Sequence, residues 1–155
     1  MELRDAILGR KSIRCFQKTK LPKGLIQEIL TYADKAPSAG NLKSRMFLTI
    51  ENPTIIKRLS EAANQSFIAD APVVIVACTK KIYNNPYGKR AELYEIQDTS
   101  ASIEHILLLV HEAGLGACWV GAFDEKKVKT ILKLSDIYRP IALIPIGYIG
   151  ENKGE

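Results

Sequence analysis

The chain has 155 residues, 46% of them hydrophobic and 25% charged, with 10 Gly and 7 Pro, which excludes a disordered or fibrous polypeptide and fits one compact domain. Its 22 Lys and Arg against 17 Asp and Glu give a formal charge of +5, yet the cations form no basic block or helical basic stripe, so a nucleic-acid partner is not indicated. Cys15, Cys78 and Cys118 are too scattered for a disulfide framework and fit a reducing cytoplasm; Met1 to Arg10 is charged and amphipathic, unlike a secretory leader, and no run approaches the ~18 apolar residues of a membrane span.

Leu3, Ile7 and Leu8 recur at helical spacing, with Gly9 as the expected cap before the polar run Arg10 to Arg14. A second helix is predicted where Leu25, Ile26, Ile29, Leu30 and Ala33 share a face, stopped by Pro37 after Ala36. The small, turn-forming cluster from Pro37 to Asn41 then leads to a strand at Phe47 to Ile50. Asn52 and Pro53 supply an N-cap and a first helical residue, with Ile55, Ile56, Leu59, Ala62 and Ala63 on the buried face.

Pro72 precedes the continuous β-branched run from Val73 to Cys78, the pattern of a central strand covered on both faces. Lys80 to Arg90 is polar and carries Tyr83 and Tyr87, which marks a surface loop or lid. A long helix follows from about Glu92 to Ala113, apolar on more than one side and ended by Gly114. Ala117 to Val120 reads as a short strand, Asp124 as the N-cap of a helix to Leu134, and Ile141 to Ile149 as the last strand. With no repeat or linker, this alternation points to a single α+β or α/β sandwich spanning residues 1–155.

Two segments stand out chemically: Arg10-Lys11-Ser12-Ile13-Arg14 followed by Phe16, and Ala36-Pro37-Ser38-Ala39-Gly40-Asn41. With Asn64 ahead of Ala71-Pro72, the stretch from Gly114 through Trp119 to Gly121, and Pro145-Ile146-Gly147-Tyr148, they occur in an order that resembles the nitroreductase family over nearly the whole chain. The resemblance implies an α/β/α sandwich with a central, mainly antiparallel sheet flanked by helices, in an intertwined homodimer that holds FMN non-covalently between its subunits. It implies an oxidoreductase that uses NADH or NADPH as a transient donor and a small-molecule acceptor such as a nitroaromatic or a quinone. The chemistry is then carried by FMN, with no catalytic side chain and no metal. Other flavin chemistry, namely dehalogenation or flavin fragmentation, and a non-catalytic FMN sensor are the rival readings.

By that resemblance Arg10, Lys11, Ser12 and Arg14 bind the cofactor, and forked guanidinium donors suit both a phosphate and a ring edge rich in acceptors. Pro37, Ser38, Ala39 and Asn41 correspond to the segment that reaches the flavin from the partner subunit, and small residues there allow close backbone approach. Asn64 corresponds to a pyrimidine contact, Val120 and Gly121 to the wall beside the isoalloxazine, and Lys153 to a basic residue for the phosphate. Read on composition alone, Arg10 to Arg14 is a solvated basic loop, Pro37 to Asn41 an ordinary turn, and Trp119 a core anchor. The family often has Gln-Pro-Trp where this chain has Lys43, Ser44 and Arg45, and two added cations there point to an altered acceptor preference or interface surface.

Overall fold

The computed structural model describes residues 1–151. Its helices are α1 (Leu3–Gly9), α2 (Leu25–Ala33), α3 (Pro53–Ala63), α4 (Ala91–Glu112) and α5 (Glu125–Leu132), and its strands β1 (Arg45–Ile50), β2 (Val73–Lys80), β3 (Gly116–Ala117) and β4 (Tyr138–Gly147). The strands form one antiparallel sheet in the order β1-β2-β4-β3.

Alternation along β2 builds the sandwich. Val73, Ile75 and Ala77 point to one side, where they meet Ile26, Ile29 and Ala33 of α2 and Ile103, Ile106 and Val110 of α4. Val74, Val76 and Cys78 point to the other, against Ile56 and Leu59 of α3 and Val128 of α5. A strand covered on both faces has no use for a polar alternate residue, which is why its sequence is continuously apolar. The architecture is therefore helices, sheet, helices, an α+β sandwich. No described helix is long and apolar enough to cross a membrane.

Several boundaries differ from the sequence expectation, each for a tertiary reason. β1 begins at Arg45 rather than Phe47, and β2 runs on to Lys80, because Arg45 and Met46 pair with Thr79 and Cys78 across the sheet. The last strand spans Tyr138–Gly147 instead of Ile141 to Ile149; its polar start is held by pairing with Thr79 and Lys80, through an irregularity at Ala77 and Cys78. Of the predicted strand Ala117 to Val120 only Ala117 belongs to the two-residue β3, with Val120 making a separate bridge to Leu143. Gly9 is the last helical residue of α1 and Arg10 its cap, whose N–H donates to the Ala6 carbonyl.

The predicted start of α3 is borne out: the Asn52 side chain accepts from the Thr54 and Ile55 amides, at 2.9 and 3.3 Å, with Pro53 following. Asp124 caps α5 in the same way through the Lys127 amide. Asn52→Ala is expected to cost ~1 kcal/mol of stability in a urea melt, the usual value of such a cap.

Candidate functional site

The Arg10 to Arg14 strip lies against the β3 edge of the sheet. Its Ile13 amide donates to the Ala117 carbonyl at 2.9 Å, and Ser12 bridges Ala117 in parallel. Further along, the Gln17 amide donates to the Tyr148 carbonyl and the Gly150 amide to the Cys15 carbonyl, so the segment is clamped between the end of β3 and the chain leaving β4. Along this segment Phe16 is buried and Ile13 half-buried, whereas Lys11, Ser12 and Arg14 are exposed and Arg10 is half-exposed. Gly116 permits this approach, because a Cβ there would lie 2.8 Å from three side-chain carbons of Ile13.

Asn64 is brought to the same edge. It ends α3 in a left-handed conformation with φ of 49°, favourable for Asn, and its side chain is exposed. The neighbouring Gln65 amide group donates to the Ala122 carbonyl at 3.3 Å, and the Asp124 amide donates to the Ala62 carbonyl at 2.9 Å, tying the end of α3 to the stretch after Val120. Val120 is buried, while Gly121 is exposed and a Cβ there would meet nothing within 4 Å. The Gly121 amide has no acceptor among the described residues. Trp119, 39% exposed, stands at the surface of this edge rather than anchoring the core.

Pro37, Ser38, Ala39 and Asn41 are elsewhere. The Ala39 amide donates to the Asp98 carboxylate at 3.0 Å, near the start of α4, whereas Arg10 and Lys11 border a cavity with Leu107 and His111 near its end. The thirteen helical steps from Asp98 to His111 correspond to roughly 20 Å of helix. One chain therefore presents two separated groups: Arg10 to Arg14, Asn64 and Val120-Gly121 together, and the Pro37 to Asn41 turn apart from them. The cavity beside Arg10 is only about 40 Å³, room for water but not for a ring system. Lys153 lies outside the described residues.

The two cations of the Lys43 to Arg45 departure, from which the sequence points to an altered acceptor preference or interface surface, are both engaged within the chain. The Arg45 side chain is 1% exposed, and Lys43 is paired with Asp34 at 2.7 Å. Burial pushes the Arg45 guanidinium below its ordinary pKa, while the nearby Asp34 and Asp98 carboxylates oppose that shift. Asp98, Thr99 and Ser102 are also buried, and the Ser102 hydroxyl donates to the Ala33 carbonyl at 2.8 Å. Sequence reasoning passed over this polar set. Its one visible signal was Asp98, Thr99 and Ser102 falling on the same side of the helix as Ile103 and Ile106.

The two buried thiols, Cys78 and Cys118, are poor nucleophiles. Burial pushes the Cys78 thiol up to about 12. Cys118 is also raised by burial, with Arg14 and a hydrogen bond to Ser12 opposing the rise. At pH 8 the native protein is expected to react with an aromatic disulfide reagent promptly at the partly exposed Cys15 alone, and at all three cysteines in urea. Prompt reaction of three thiols in the native state would show that the core opens readily.

Comparison with known proteins adds a separate line of information. A sequence profile described as the Nitroreductase family matches residues 7–67 and 60–148. A protein of Methanothermobacter thermautotrophicus is 33% identical over 159 residues, covering 99% of this chain and 81% of its own length; its name pairs NADH dehydrogenase with NAD(P)H nitroreductase. Among solved structures, a nitroreductase family protein from Clostridium novyi NT superposes with a TM-score of 0.86 at 28% identity, covering 100% of this chain and 89% of that one. An FMN-dependent nitroreductase from Clostridium difficile R20291 superposes with a TM-score of 0.84 at 26% identity, covering 97% and 89%.

Proposed function

Because this chain belongs to the nitroreductase family, and so is an oxidoreductase of that superfamily, we propose that it is an FMN-dependent enzyme that takes reducing equivalents from NADH or NADPH and passes them to a nitroaromatic, quinone or related acceptor. The order is alternating, donor before acceptor, in one cleft. Residues 1–155 make one FMN-binding domain, which works in the cytoplasm as a homodimer.

The observation that carries the reading is the division of the site. Arg10 to Arg14, Asn64 and Gly121 gather at one edge, and the Pro37 to Asn41 turn sits roughly 20 Å of helix away on the same chain. A two-fold axis joins the first group of one subunit to the second group of the other, closing two equivalent sites. The outer face of α1 supports such a dimer, since Leu3, Ile7 and Leu8 are 67%, 56% and 84% exposed.

The residues at the edge fit the cofactor. Arg10 and Lys11 supply cations for a phosphate, Ser12 and Arg14 donate to the acceptors of a pyrimidine edge, and Asn64 both donates and accepts there. Gly121 leaves open space and an unpaired amide for a ring to approach. When bound, FMN supplies the hydride and electron transfer chemistry. The protein's part is to hold the ring, keep a cation near its pyrimidine edge and leave one face open to donor and acceptor in turn.

The test is spectroscopic. Protein supplied with FMN and desalted is expected to retain a visible flavin band that bleaches on anaerobic addition of NADH or NADPH and returns with a nitroaromatic or quinone. Failure to retain flavin sinks the reading. Retention without bleaching by either nucleotide removes NAD(P)H as the donor and favours a sensor.

A further inference from the structure

We infer that Arg45 is a positioning residue for the flavin site of the partner subunit: its buried guanidinium, with the Asp98 carboxylate, fixes the Pro37 to Asn41 turn in the shape that reaches across the dimer. This rests on the shared-site reading above. Arg45 itself faces neither a surface nor a cavity; it acts through the turn.

The hydrogen bonds converge on that segment. Arg45 Nη1 donates to the Pro37 carbonyl at 3.2 Å and to the Asp98 carbonyl at 2.9 Å, and Nη2 donates to the Asp34 and Ala36 carbonyls at 3.0 and 2.7 Å. One planar fork thus gathers the chain leaving α2, the first residue of the turn and the backbone of α4. Asp98 completes the frame from the other side: Oδ1 accepts the Ala39 amide at 3.0 Å, and Oδ2 accepts the Ser44 hydroxyl at 2.9 Å. The Ser38 hydroxyl accepts the Lys43 amide at 3.1 Å and closes the turn on itself.

The turn has reason to need such a frame. Gly40, Asn41 and Lys43 all adopt left-handed φ, at 59°, 55° and 49°. Left-handed φ is disfavoured for a side chain such as that of Lys43, and surrounding contacts must offset the strain. An apolar side chain at position 45 could fill the same volume without desolvating a cation. What it could not do is bind four carbonyls at fixed angles, and that is a device for specifying backbone shape. The consequence appears in the other subunit, because the turn is the piece this chain gives away.

A mixed dimer separates this role from general stabilisation. Arg45→Met leaves the Arg10 to Arg14 strip intact, and a double variant, Arg10→Ala with Arg14→Ala, leaves the turn and its frame intact. Each homodimer is expected to bind FMN at least ~10-fold more weakly than the parent, as misplaced contacts commonly do. Dimers of one subunit of each kind, isolated through two affinity tags, are expected to recover parental affinity at half of their sites, where an intact strip meets an intact turn. Parental affinity in the Arg45→Met homodimer, or no recovered site in the mixed dimer while the double variant binds weakly, overturns the inference. Parental affinity in the double variant overturns instead the reading of the strip on which the inference rests. Should Arg45→Met fail to fold, Asp98→Asn, which keeps the shape and one acceptor, goes through the same pairing; it is expected to lose affinity alone and regain it in the mixed dimer.

Discussion

Arg10→Ala is expected to raise the Kd for FMN by ~100-fold, because a charge-assisted hydrogen bond of ~1.5–3 kcal/mol corresponds to ~10- to 150-fold in affinity. The Arg10 side chain makes no ion pair or hydrogen bond to the described residues, so its loss should leave the thermal midpoint of the flavin-free protein nearly unchanged. Arg10→Lys keeps the charge but not the fork and should fall between. Quenching of flavin fluorescence on binding gives the constants directly. The salt dependence should also flatten when a cation is removed, since less of the remaining affinity is electrostatic. A parental Kd for Arg10→Ala would move the phosphate contact away from this residue.

Ile146→Ala should produce the largest loss of stability tied to the site, ~2–5 kcal/mol, whereas Ile146→Val should cost only ~0.5–1.5 kcal/mol. Ile146 is fully buried and pairs with Ala117 on β3, directly behind the backbone that holds Ile13. The emptied volume therefore opens under the cofactor strip, in a place that β2 and α4 cannot fill without shifting. Urea unfolding of the flavin-free protein measures the loss. Repeating it with FMN at ~100 times Kd should return ~2.7 kcal/mol if binding is intact, and less if the strip has moved. A loss below ~1 kcal/mol would mean that the core here relaxes freely around the cavity.

Both results turn on how the sheet supports the edge, and the sequence was informative about only part of that support. The apolar run of β2, the periodicity of α2, α3 and α4, and the caps at Asn52 and Asp124 are local signals. A helix stripe, a β-branched run and a side-chain cap each express their preference within a few residues, so they survive without knowledge of the partners. The polar first residues of β4, Tyr138 and Arg139, were illegible for the converse reason. They are strand residues because Lys80 and Thr79 pair with them, and nothing in their own composition demands it. Likewise the helical spacing of Leu3, Ile7 and Leu8 was correct, but spacing could not reveal that the chain itself leaves this face uncovered.

For the site, the sequence by itself determined the chemistry on offer: cations and hydroxyls at Arg10 to Arg14, a small-residue turn at Pro37 to Asn41, an amide at Asn64 and space at Gly121, in the order shared by the nitroreductase family. Only the tertiary structure decided where these pieces go. It set the first, third and fourth at one sheet edge and the turn away from them toward the start of α4, and it made Arg45 a buried clamp with four carbonyl acceptors. The physical reason is one of range. Side-chain chemistry and local backbone preference are properties of neighbours in sequence, whereas burial of a charge, separation along a helix and the strand partner at an edge depend on residues far away in the chain.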